Sequence, residues 1–108
     1  LDTVTTLSDQ TSNLYPLDSV AASIQLTGLQ TGSEVRIYRA SDSVELGGIE
    51  NSGTTFTYNY THYGTDIPII IVVHALNYIN VRLSTLSLTA TGATIPIQQQ
   101  FDRVYENI

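Results

Sequence analysis

Apolar and polar positions alternate along most of this chain. Ile24 and Leu26 alternate with Ser23, Gln25 and Thr27, and Gly28 closes the run. A period of two puts successive side chains on opposite faces, so it predicts a half-buried strand rather than a helix. Val35 and Ile37 alternate with Glu34, Arg36 and Tyr38 up to Ala40, which predicts a second strand. Val44 and Leu46 begin a third, which Gly47-Gly48 breaks into a bulge or bend. Phe56, Tyr58 and Tyr60 then share one face, with Thr55, Thr57 and Asn59 on the other, and His62 to Asp66 reads as a loop. Ile67 to Ala75 is apolar almost throughout, interrupted at Pro68, which predicts a central strand covered on both faces. Ile79, Val81 and Leu83 keep one phase, but the next apolar pair is Leu86 and Leu88. One face cannot hold both sets without a bulge or a change of sheet near Ser84-Thr85. Ile95 and Ile97 form a last strand, and Pro96 between them points to an edge position.

Turn-forming clusters separate these runs: Thr27 to Gly32, Ser41-Asp42-Ser43, Asn51-Ser52-Gly53, Asn77 and Thr91-Gly92. No window carries apolar residues at helical spacing over three turns, and no repeat or strand–helix alternation is present. Short strands with turns roughly every 8–12 residues predict an all-β, antiparallel two-sheet β-sandwich, Ig-like or jelly-roll-like, of about seven or eight strands.

Residues 1–20 break the pattern. They hold Asp2, Asp9 and Asp18 and no base, with Val4, Leu7, Leu14, Tyr15 and Leu17 at no clean period. One reading is a linker or leader from a preceding segment. The other is an extended N-terminal arm that packs on a neighbouring subunit, because five large apolar residues exceed what a solvated linker needs. The domain division is therefore an arm or linker over 1–20 and a sandwich over 21–108.

Composition sharpens the class. Ile, Val and Thr supply 34 of the 108 residues, with seven Tyr and two Phe, all strand formers. Ser and Thr total 25 and Gln and Asn 12, a polar but weakly charged surface common among extracellular and virion β-proteins. The absence of Met implies a processed product or an excised piece of a longer chain. The absence of Cys removes disulfides, thiolate metal sites and a cysteine nucleophile. The absence of Lys removes Schiff-base chemistry. The net charge of −6, with four Arg as the only cationic side chains, argues against nucleic acid and anionic membranes. The longest apolar run is too short to span a bilayer as a helix.

The stretch from Ile24 to Leu88 resembles a known style of domain. It runs TGL-x-x-G, then SEVRIYR with the turn ASDS, then VELGG, then NSGTTFTYNY, then a hydrophobic strand and Tyr78. It is similar to the small Ig-like or prealbumin-like sandwiches that decorate surface and virion proteins. The tail IPIQQQFDRVYENI (95–108) is similar to endings of phage structural and fibre proteins. The resemblance implies a structural or adhesive role and carries over no catalytic residue. It also departs from pilin-type sandwiches with intramolecular isopeptide bonds, which need the Lys that this chain lacks.

Chemistry is sparse. His62 and His74 are twelve apart with no Cys, too few for a zinc set. His74, on the face of Ile70 and Val72, reads as a buried or half-buried structural histidine, and His62 as a solvated one or one packed on Tyr60 or Tyr63. There is no nucleophile elbow, phosphate loop, dinucleotide fingerprint or calcium loop. Glu34, Glu45 and Glu50 read as solvent-facing or turn-flanking, with no apolar surroundings to raise a pKa. Asn59-Tyr60-Thr61 is a formal glycosylation sequon, with Asn59 opposite the aromatic stripe. Arg36 beside Glu34, and Arg103 beside Asp102 and Glu106, read as surface pairs; Arg36 and Arg39 are alternatively anchors for the acidic arm of a neighbour.

The aromatic stripe reads first as core and edge capping, and next as a glycan platform or subunit contact through Tyr58, Tyr60 and Tyr63. No enzyme activity, cofactor or metal is expected. The expected role is a structural subunit that polymerises with copies of itself into an extracellular filament or virion appendage. The arm, with Val4, Leu7, Leu14, Tyr15 and Leu17, would add to a sheet edge of the next copy, near Pro96 or Val44–Ile49. The alternative is a carbohydrate-binding or adhesion module meeting surface glycans. The location follows as extracellular or virion surface.

Overall fold

A computed structural model describes residues 19–102. Seven strands appear in chain order: β1 (Val20–Thr27), β2 (Glu34–Arg39), β3 (Glu45–Ile49), β4 (Phe56–His62), β5 (Ile67–His74), β6 (Val81–Leu88) and β7 (Ala93–Pro96). They form a three-stranded sheet ordered β4-β1-β7 and a four-stranded sheet ordered β3-β2-β5-β6. This is a two-sheet β-sandwich, all-β, with no helix among the described residues.

Alternation places the core between the sheets. Ile24 and Leu26 of β1, Val35 and Ile37 of β2, and Ile69, Ile71 and Val73 of β5 are all buried, most to zero exposure. Leu29, Leu88 and Ile97 close the same cluster. Each of these large aliphatic side chains contributes about 1.5–3 kcal/mol of hydrophobic burial. On the smaller sheet the inward ladder pairs Ala22 with Tyr60, Ile24 with Tyr58 and Leu26 with Phe56.

The phase slip in β6 is a bulge. Ile69 pairs with Leu86 and Ile71 with Leu83, so Ser84 and Thr85 together oppose Ile70. The extra residue keeps Leu83, Leu86 and Leu88 on the inner side of one strand. A second register shift falls between Ile37 and Tyr38, where β3 inserts Leu46 just before Gly47. Gly48 follows with φ +155°, and a Cβ there would collide with the carbonyl oxygen of Val35. Only glycine fits that close approach.

Two expectations need correction. The sandwich is not wholly antiparallel, because β1 pairs in parallel with β7. Strand β5 is interior, between β2 and β6, but only one face is covered. Ile70 and Val72 on the outer face are half-buried, and Pro68 and His74 are exposed. The apolar run there reads as two covered faces only if the outer residues are counted with the inner ones. Pro96 does lie on an edge strand, at the end of β7.

Candidate functional site

The aromatic stripe lies on the inner face of β4. Phe56, Tyr58 and Tyr60 are half-buried and pack against the core, while Thr57, Asn59 and Thr61 are exposed on the other face. The Tyr58 and Tyr60 rings stack at 5.9 Å between centroids, tilted by 21°. Gly47 of β3 makes room for them, since a Cβ there would sit 2.7 Å from the Tyr58 ring. The Tyr60 hydroxyl donates to the Thr89 carbonyl at 2.6 Å and accepts from the Thr89 N–H at 3.1 Å. A half-buried phenol thus finds its partners in backbone beyond the end of β6, tying the two sheets together. Tyr63 stands apart at 72% exposure. The three tyrosines therefore do not form one exposed coplanar set. The arm residues Val4, Leu7, Leu14, Tyr15 and Leu17, together with Arg103 and Glu106, lie outside the described residues.

The two histidines exchange the surroundings expected of them. His62 ends β4 rather than opening a loop, and it is buried at 8% exposure. Its Nε2 is 2.8 Å from Asp66 Oδ1, and its Nδ1 accepts the Gly64 N–H at 3.2 Å. With Nδ1 accepting, Nε2 is the nitrogen that donates to the carboxylate. His74 is exposed, with Nδ1 2.7 Å from Asn80 Oδ1. The reason lies in strand phase: His62 shares its parity with inward Tyr58 and Tyr60, and His74 with outward Ile70 and Val72.

Charge is mostly consumed locally. The Arg36 guanidinium meets Glu34 at 2.8 Å, Glu45 at 2.9 Å and Glu50 at 3.4 Å. The hydrogen bonds it donates to Glu34 and then Glu45 raise its pKa further, so it stays charged. Arg39 pairs with Asp42 at 2.9 Å, and that guanidinium holds the Asp42 carboxyl below its ordinary range. Arg36 and Arg39 are thus already engaged by carboxylates of their own chain, contrary to a role as free anchors for an acidic arm. Exposed pairs of this kind add little to stability.

Open concavities interrupt the surface. One, of about 350 Å³, lies on the small sheet and is lined by Ser23, Gln25, Thr57, Thr91 and Thr94 with Ala93. Another, of about 240 Å³, lies on the large sheet between Tyr38, Ser43, Ile70, Val72 and Arg82. A third, of about 240 Å³, is lined by Ile79, Asn80, Val81, Gln98 and Gln100. None of these three brings together a nucleophile and a base, or paired carboxylates. Among the described residues, no three His, Asp or Glu side chains gather as a metal set. No helix among them is long and apolar enough to cross a membrane.

Among the described residues, four strands lie at sheet edges: β4 and β7 in the small sheet, β3 and β6 in the large one. Comparison with family models, curated proteins and solved structures finds no match.

Proposed function

We propose that this chain is a non-catalytic structural subunit that associates with copies of itself into an extracellular filament or virion appendage. One observation carries the reading. The sandwich core is filled by residues 24–97, with its central side chains at 0–5% exposure. Yet the sequence holds five further large apolar residues between Val4 and Leu17. A filled core offers these no vacancy, and an aqueous linker gives them no reason. Pairing them with an open strand edge of another copy accounts for both facts. Such a contact joins two different surfaces, so repetition gives an open chain unless the rotation closes.

Sedimentation over a wide range of concentration tests this. The expected result is a set of species heavier than monomer whose share rises with concentration. A single monomeric species throughout contradicts it.

The alternative, a glycan-binding module, has one feature in its favour: the exposed Tyr63 ring. Stacking platforms use successive exposed rings, and Tyr58 and Tyr60 are instead packed inward. This favours assembly over glycan binding.

A further inference from the structure

We infer that the acceptor edge for assembly is β4, and that its occupant is the segment Thr3–Leu7 of a second copy; this rests on the assembly reading above. Exposed strand edges invite pairing with other chains, and proteins blunt them with bulges, prolines, charges or brevity. Three of the four edges here carry such devices. Strand β7 has four residues and ends in Pro96. Strand β3 has five, is broken by its register shift, holds Gly48 at φ +155°, and carries Glu45. Strand β6 is interrupted by the Ser84-Thr85 bulge and carries Arg82.

Strand β4 has none of these. Its seven residues, FTYNYTH, include no Pro, Gly, Asp, Glu, Lys or Arg. It pairs with β1 in unbroken register from Val20↔His62 to Leu26↔Phe56. No strand among the described residues pairs with its outer side. Its inward rings also remain half-buried, while the neighbouring Ile24 and Leu26 on β1 are 1% and 0% exposed. A strand laid beside β4 would cover the open flank of Phe56, Tyr58 and Tyr60, as β1 covers the other.

The occupant follows from the sequence. Thr3-Val4-Thr5-Thr6-Leu7 is an unbroken run of strand formers with no Pro, Gly or charge. Residues 8–18 separate it from the described fold, and eleven extended residues reach about 36–40 Å, enough to leave one sandwich and meet another. The shortest route for the same chain runs parallel to β4, since the chain enters β1 opposite His62. A second copy is free to pair antiparallel, the more stable ladder per residue.

The chain has no Cys, so engineered thiols report contacts cleanly. Full-length chains carrying Thr5→Cys would be mixed with full-length chains carrying one exposed cysteine per edge: Thr57→Cys, Asn59→Cys or Thr61→Cys on β4, Glu45→Cys on β3, Ser84→Cys on β6, or Thr94→Cys on β7. Oxidised, mixed chains should cross-link at one or more β4 positions about tenfold or more above every other edge, as expected when pairing raises local thiol concentration to the millimolar range. Polymer with preferred cross-linking at β3, β6 or β7, or with no β4 cross-link, overturns the assignment and leaves the assembly reading standing. In a further full-length chain carrying both Thr5→Cys and Asn59→Cys, cross-linking within that chain, with none between the mixed single-cysteine chains, overturns the second copy as occupant. Wild-type chains that stay monomeric by sedimentation overturn both.

Discussion

Tyr60 joins the two sheets through one hydroxyl that both donates to and accepts from the backbone of Thr89. Tyr60→Phe keeps the ring stacked beside Tyr58 and leaves both Thr89 groups without that partner. The expected cost is about 1–2 kcal/mol, read as a lower urea midpoint with an unchanged slope. Asp42 gives a pH-dependent counterpart. Its folded pKa lies below the ordinary carboxyl value because Arg39 binds the ionised form. The pair therefore stabilises the fold above about pH 4 and loses that contribution as pH falls through the lower folded value. The difference in melting temperature between the native chain and Asp42→Asn should be constant near neutrality and disappear in acid. Being exposed, the pair makes this difference small. At this scale the sequence was a partial guide. The Arg36–Glu34 pair was legible from spacing, but Glu45 and Glu50 reach the same guanidinium from β3 and the turn beyond, which only the sheet pairing brings near. His62 was misjudged because it was assigned to a loop rather than to the strand parity it shares with Tyr58 and Tyr60, whereas His74 was given the right face, that of Ile70 and Val72, which is not the covered one.

At the level of elements, period and turn chemistry made the seven strands readable. The slip at Ser84-Thr85 was legible as well, because two apolar sets of opposite phase must share one covered face, and the bulge lies there. Deleting Thr85 tests that cause. Without the extra residue, Leu83, Ser84 and Leu86 alternate regularly, Ser84 alone opposes Ile70, and Leu83, Leu86 and Leu88 all keep the inner face with no bulge. The deletion should therefore leave stability close to the native chain's. Thermal unfolding of the deletion variant checks it, and a loss of about 3–6 kcal/mol, the size of two leucines taken from burial, would show that β6 is not held by this phase. Less readable was the parallel pairing of β1 with β7, since strand periodicity contains no information on direction. The outer face of β5 was also hidden, because apolar Ile70 and Val72 look the same in sequence whether or not anything lies over them.

For the whole molecule, the sandwich class was legible because composition, alternation and turn spacing agree. The functional surface was less so. Both acceptor stretches suggested by the sequence, Val44–Ile49 and the region of Pro96, belong to edge strands, yet each carries a feature that hinders pairing. The plain edge, β4, was recognised first for its aromatics rather than its backbone. Its lack of Pro, Gly and charge was visible all along, but edge position is a property of topology. The central claim is that copies assemble through the segment before β1. Negative-stain microscopy of the full chain beside a version lacking residues 1–18 tests it most directly. The account predicts polymers from the full chain and dispersed single domains from the truncated one. Dispersed domains from both, or polymers from both, would contradict it.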